Sequence, residues 1–368
     1  MQFPHVDPIP IPAPVWLMKT LSLLTLTLHF FAVNILIGSL VAVIVFSVRG
    51  QGKDKGSSGA ALVVSRRLPI VMTYVINLGI PPLLFAQVLY GRALYTSTIL
   101  IAVQWISVVF LVMACYWLLY RISAKAIEGK PVHWYASGAL VCAALVGHIY
   151  ATTMTLMLKP EVWQEMYAKS ATGLQRAPHD PTTEPRLLFV LIGGFLIGGF
   201  WLTLHSRLKT IEPETAETLK KLGSTFAVIG AVGELGAGIW AYSVHPAGVL
   251  AALSTPYYMV SKGIFVVGFA LALLVALYQL LQKKTGALLS TIGGLGGFLG
   301  LAGAVMVRDG IRDVTLQQKG LDVWNRQEAS NWFVIGLFLI VFVLGLVAIG
   351  WLLAVMKSAR PITEQVNS

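Results

Sequence analysis

Nine long apolar runs dominate this 368-residue chain, at roughly 16–47, 69–91, 97–120, 133–158, 186–206, 222–244, 257–282, 286–307 and 331–356. Each reaches the ~20 residues that a helix needs to cross a bilayer core. Inside hydrocarbon no water satisfies backbone N–H and C=O groups, so each segment has to bond its own backbone, and helices are the economical solution. Only 12% of the residues are charged, about half the share usual in soluble domains. The expected fold is therefore an all-α integral membrane protein, one membrane domain over 1–368 with about nine transmembrane helices.

Charge placement orients the helices. The connectors at 48–68 and 121–130 are basic, whereas segment 1–15 is rich in proline and lacks Lys and Arg. Basic connectors stay on the cytoplasmic side, which predicts an amino terminus outside, a carboxyl terminus inside, and a multi-pass protein of the bacterial cytoplasmic (inner) membrane. Segment 1–15 lacks the basic start of a signal peptide. The net charge of +11 is explained by these connectors and does not point to nucleic acid; membrane lipid is the expected surrounding. Two outer segments, 159–185 and 308–330, are the longest polar stretches and are expected as loops. They are either ordinary solvated loops or a surface for a soluble partner.

Several chemistries are absent from the sequence. The two cysteines, Cys115 and Cys142, fall inside apolar runs, and no Cys-x-x-Cys-His stretch is present. A covalent c-type haem and an iron–sulfur cluster are thereby excluded for this chain. There is no phosphate-binding loop. The glycines of 193–199 and 292–310 lie within apolar runs and are expected to let helices pack closely. The inverted pairs of interrupted helices that mark many transporters are also missing.

Ionisable groups inside spans are expensive and tend to be functional. His29 lies roughly 20 Å along the first helix, and His148 roughly 15 Å from the outer end of the fourth, at 1.5 Å per residue. Because these helices run in opposite directions, the two imidazoles fall at broadly similar depth. Such a pair suits a bis-histidine haem b, with the small and mildly polar Ala144, Thr152 and Thr155 around His148 leaving room for a flat ring. The alternatives are a proton carrier or a simple interhelical hydrogen bond. Glu234 is the one carboxylate deep within a predicted span. It is read either as a proton relay or quinol-proton acceptor, or as a neutral acid bonded across a glycine-rich contact. Arg92, Lys262 and His245 sit at outer helix ends, where a charge is cheap; they are candidates for contact with a quinone headgroup or a haem propionate.

The ordered pattern resembles subunit I of the cytochrome bd quinol oxidase family over most of the chain. It is carried by His29-Phe30 through Gly38, Asn77-Leu78-Gly79, Tyr90-Gly91, Gly193-Gly194 to Gly198-Gly199, and Gly233-Glu234. The resemblance implies nine spans, haem and quinol. The departures are as informative. The third helix reads Ala102 to Phe110 without an acid. Leu187-Leu188-Phe189 and Gly263-Ile264-Phe265 stand where the family holds its low-spin haem. An apolar residue around Leu301 replaces a glutamate ligand, and the outer quinol loop shrinks to about 245–256. Of the family's ligands only His29 persists, with His148 additional, so oxygen reduction by this chain alone is not expected. The implied role is a membrane subunit of a respiratory complex that passes electrons between quinol and a partner cytochrome, such as an outer-side c-type cytochrome. The alternative is a haem-free companion or anchor subunit beside other membrane subunits.

Overall fold

The computed structural model describes residues 10–52 and 54–358, and the first nine residues of the proline-rich segment lie outside them. Among the described residues nine helices are long and apolar enough to cross a membrane. In chain order the helices are α1 (Val15–Gly50), α2 (Lys55–Ser65), α3 (Leu68–Leu100), α4 (Ala102–Ile127), α5 (His133–Leu156), α6 (Trp163–Lys169), α7 (Thr183–His205), α8 (Pro213–Ser243), α9 (Ala247–Ala252), α10 (Pro256–Gln282), α11 (Ala287–Gln318) and α12 (Trp332–Ser358). The nine long helices alternate in direction. The start of α1 therefore shares one face, the amino-terminal face, with the ends of α3, α5, α8 and α11.

Helix α1 is the axis of the bundle and packs on α2, α3, α5, α7 and α11, while α7 pairs with α8 and α10 with α11. Small residues permit this closeness. A Cβ on Gly38 would stand 2.1 Å from the Gly194 carbonyl oxygen and 2.8 Å from the Gly198 Cα, so α1 and α7 touch backbone to backbone. In lipid, such contact replaces the hydrophobic drive that water gives soluble cores. One apolar cluster, including Leu89, Tyr90, Leu94 and Leu316, lies toward the amino-terminal face. A second, built on Leu40, Val43, Phe46, Leu119 and Ile122, lies toward the other face. Helix α12 leaves most of its apolar surface exposed, including Phe333, Ile340, Leu344 and Trp351, as a lipid-facing or subunit-facing helix does.

Three boundaries differ from the apolar pattern. Helix α3 does not stop near 91 but runs to Leu100, passing Pro81 and Pro82 and leaving helical geometry only at Tyr90 (φ −125°, ψ 20°). As a result the next span starts at Ala102 rather than at 97. Helix α8 begins nine residues earlier than its apolar run because Pro213 opens a polar extension, a favoured residue for a first turn. The third difference is a correction. Residues 308–318 are not loop but the last turns of α11, and Asp309, Arg312 and Asp313 are buried. Charges stay helical and inside here because they find partners on α1 and α3.

Candidate functional site

His29 comes from the middle of α1, on the side facing α3. Its Nδ1 lies 3.0 Å from the Val75 carbonyl oxygen. Gly79, one helical turn further along α3, admits the ring: a Cβ there would stand 2.8 Å from Cε1 and 2.9 Å from Nδ1. A carbonyl at Nδ1 places the ring proton on that nitrogen and leaves the Nε2 lone pair as the basic, metal-accepting atom. His29 would therefore be able to hold a haem iron, by the chemistry of its Nε2 donor atom.

His148 has different neighbours. It is exposed on α5 and lines a cavity of about 430 Å³ at the amino-terminal face, together with Gln104, Thr152, Arg176, His179 and Asp180. His29 is not part of that lining, and none of its contacts is shared with His148. The expectation of two imidazoles flanking one ring finds no support in this arrangement. Similar depth along two helices says nothing about rotation around them. Beside the cavity, Asp180 accepts from Lys159 at 2.5 Å and from the Thr182 backbone N–H at 2.8 Å. Burial would raise its carboxyl, but the Lys159 ammonium and Thr182 outweigh it and hold Asp180 below the usual carboxylate range.

The residues expected around a quinol do not converge. Lys262 Nζ donates to the Tyr242 hydroxyl at 3.0 Å and lies 5.3 Å from the centre of that ring. His245 Nδ1 sits 2.7 Å from the carbonyl of Ala241 in the preceding turn, and burial holds its imidazole below the ordinary value. Arg92 belongs to α3 just past the Tyr90 break, in electrostatic range of Arg326. Glu234 is buried in α8 against Gly193 of α7, more than two turns from Tyr242. Arg92, Lys262 and His245 thus belong to the amino-terminal face, whereas Glu234 lies inside the bundle.

A polar centre that sequence reasoning missed joins α1, α3 and α11. Lys19, 3% exposed, pairs with Asp309 and with Asp313 (2.6 Å), and donates to the Tyr90 hydroxyl at 2.7 Å. The Tyr90 hydroxyl donates to Asp313 at 2.7 Å, and Trp324 Nε1 donates to the same carboxylate at 3.0 Å. Arg312 pairs with Asp309 and stacks on Tyr90, 3.9 Å from the ring centre. Nearby, the Glu328 carboxylate accepts the Val15 backbone N–H at 2.8 Å, capping α1. The Asp309-Gly310 pair reads as a turn, but Arg312 and Asp313 follow Asp309 by three and four residues, the spacing of neighbours on one helix face, and that was the signal present. A helix rather than a loop was the available inference.

No metal-binding group of three or more His, Cys, Asp or Glu occurs among the described residues. No family profile matches the sequence, and no curated protein matches it. Among solved structures, the bd oxidase from Geobacillus thermodenitrificans superposes with a TM-score of 0.74 at 15% identity, covering 96% of this chain and 100% of that one. The fold is thus like that of the bd oxidase, at low sequence identity.

Proposed function

We propose that this chain is a membrane subunit of a respiratory electron-transport complex in the bacterial cytoplasmic membrane, passing electrons between quinol and a partner cytochrome through one haem b held by His29. The observation that carries this reading is the His29 ring itself, set against Gly79, with Nδ1 tied to the Val75 carbonyl and Nε2 directed to be the donor. Haem, when bound, supplies one-electron redox chemistry. The chain's residues orient the ligand through the Val75 carbonyl and set it beside the Phe30 ring, 5.7 Å between ring centres. Quinol oxidation also releases protons, and Glu234 is the candidate acceptor within the bundle. Arg92, Lys262 and His245 remain candidates for headgroup contact at the amino-terminal face, where an outer c-type cytochrome would dock.

A reduced-minus-oxidised spectrum of the purified protein tests the proposal. A haem b signal that disappears in His29→Ala is expected; a missing signal, or one that survives the substitution unchanged, would sink it. One observation favours a second reading, a haem-free companion subunit. Leu301, where the resemblance expects a ligand, is 4% exposed and packed with Ile197 and Val305. That reading expects stoichiometric co-purification with a haem-bearing subunit and no haem on this chain.

A further inference from the structure

The cavity beside His148 brings together charges of both signs that do not satisfy one another. Its volume of about 430 Å³ lies in the range of small-molecule sites, about 300–1,000 Å³. Lys159 and Asp180 in its wall are already paired, at 2.5 Å. Arg176 and Glu184, which also line it, are not. Arg176 has no hydrogen bond or ion pair among the described residues. Glu184 faces His179 Nδ1 at 3.6 Å, too long for a hydrogen bond. The segment that carries Arg176 is fixed to α4, where Gln104 Nε2 donates to the Gln175 carbonyl at 2.7 Å. A free cation and a free carboxylate are thus held in the wall of one cavity.

Position says what kind of molecule enters. The cavity lies where α5 ends and α7 begins. Trp105 and Tyr150 meet beside it, ring centres 5.0 Å apart, and such rings collect at the depth of lipid headgroups. On α5, Val141 and Leu145 precede His148 by seven and three residues, so they continue its face toward the membrane interior. Both are exposed, as are Ile106 and Phe110 of α4. A polar cavity above an exposed apolar face suits a molecule with a charged head and hydrocarbon chains. A quinol head carries no charge and would leave Arg176 and Glu184 unmet. We propose that the cavity binds the headgroup of a zwitterionic phospholipid with a primary ammonium, the phosphatidylethanolamine class. Phosphate oxygens accept from the Arg176 guanidinium, and the ammonium donates to the Glu184 carboxylate; such charge-assisted bonds are stronger than neutral ones. The acyl chains lie along the exposed apolar side chains of α4 and α5. The site stands independently of the haem reading, and in it His148 is a wall residue.

Native mass spectrometry of the full-length, delipidated protein tests the site, with dioleoyl phosphatidylethanolamine, phosphatidylcholine and phosphatidylglycerol titrated separately. Phosphatidylethanolamine should form a single tight adduct. Phosphatidylcholine, whose ammonium has no N–H to donate, and phosphatidylglycerol, which has no ammonium, should bind about tenfold more weakly. Arg176→Gln should weaken all three, because each carries the phosphate. Glu184→Gln should erase the preference for phosphatidylethanolamine over phosphatidylcholine and leave the phosphate contact in place. Thr152→Trp, which fills the cavity, should abolish the adduct; if that variant does not fold, the two glutamine variants carry the measurement. Equal binding of the three lipids by the parent, or glutamine variants that bind as the parent does, overturns the proposal. Displacement of the adduct by a short-chain quinol also overturns it and assigns the cavity to quinol instead. The adduct should persist in His29→Ala, so loss of haem and loss of the lipid are read separately.

Discussion

Lys19→Met is the sharpest probe of the fold. The substitution keeps most of the length and the apolar stem of the side chain and removes the charged ammonium with its hydrogen bonds. In the parent, Lys19 Nζ meets Asp309, Asp313 and the Tyr90 hydroxyl at a site that is 3% exposed. Without it, two carboxylates face each other with Arg312 as the remaining bonded cation, itself committed to Asp309. Removing one partner from a buried ion pair costs about 3–5 kcal/mol, because the other charge is left desolvated and unpaired. That corresponds to a shift of a hundredfold or more in the folding equilibrium, at ~1.4 kcal/mol per tenfold. The comparison variant is Lys169→Met, which removes an exposed pair with Glu165, 69% and 68% exposed; solvent screens such a pair, so little change in stability is expected. Thermal unfolding of the purified full-length protein in one detergent should therefore separate the two variants clearly. The double variant Lys19→Met with Asp313→Asn should recover part of the loss, since it removes the orphaned charge as well. If Lys19→Met proves as mild as Lys169→Met, or the double variant is worse than the sum of its parts, the buried cluster does not hold α1, α3 and α11 together as argued.

Two further outcomes follow from the packing and the charges. Gly38→Leu places a side chain where a Cβ alone already meets the Gly194 carbonyl oxygen at 2.1 Å, so α1 and α7 must separate; loss of monodisperse folded protein in size-exclusion chromatography is expected, while Gly350→Leu on exposed α12, with nothing near its Cβ, leaves the profile unchanged. Asp180 is held below the usual carboxylate range despite its burial, by Lys159 and Thr182. Its folded value is lower than its unfolded one, so its contribution is present above the ordinary aspartate value and is lost as pH falls through the lower, folded value. The melting temperature of the parent should consequently drop more steeply below about pH 4 than that of Asp180→Asn, and equal slopes would contradict the assignment.

Much of the architecture was readable from residues alone. Length and hydropathy dictate nine spanning helices because lipid leaves the backbone few other ways to satisfy itself, and among the described residues helices of spanning length appear where the apolar runs lie. The order of His29, Gly38, Gly79, the paired glycines of α7 and Glu234 likewise pointed to a bd oxidase-like fold, which the structural match bears out. Rotation about the helix axes was not readable. Apolar residues surround every span, so no amphipathic stripe says which side faces a neighbour. For that reason the depths of His29 and His148 could be estimated, while their separate surroundings could not. The same holds for Asn34, whose place with Glu234 beside Gly193 of α7 depends on helix rotation. Charge in the sequence read as solvent in Arg308 to Asp313, but Lys19 and Tyr90, nearly three hundred and more than two hundred positions away, turned it into the interior of the bundle. The sequence by itself determined that the chain crosses the membrane as helices and that His29 and Glu234 lie within them. Only the tertiary structure decided which of those residues meet, because pairing depends on helix rotation and long-range contact, and neither leaves a mark in local hydropathy.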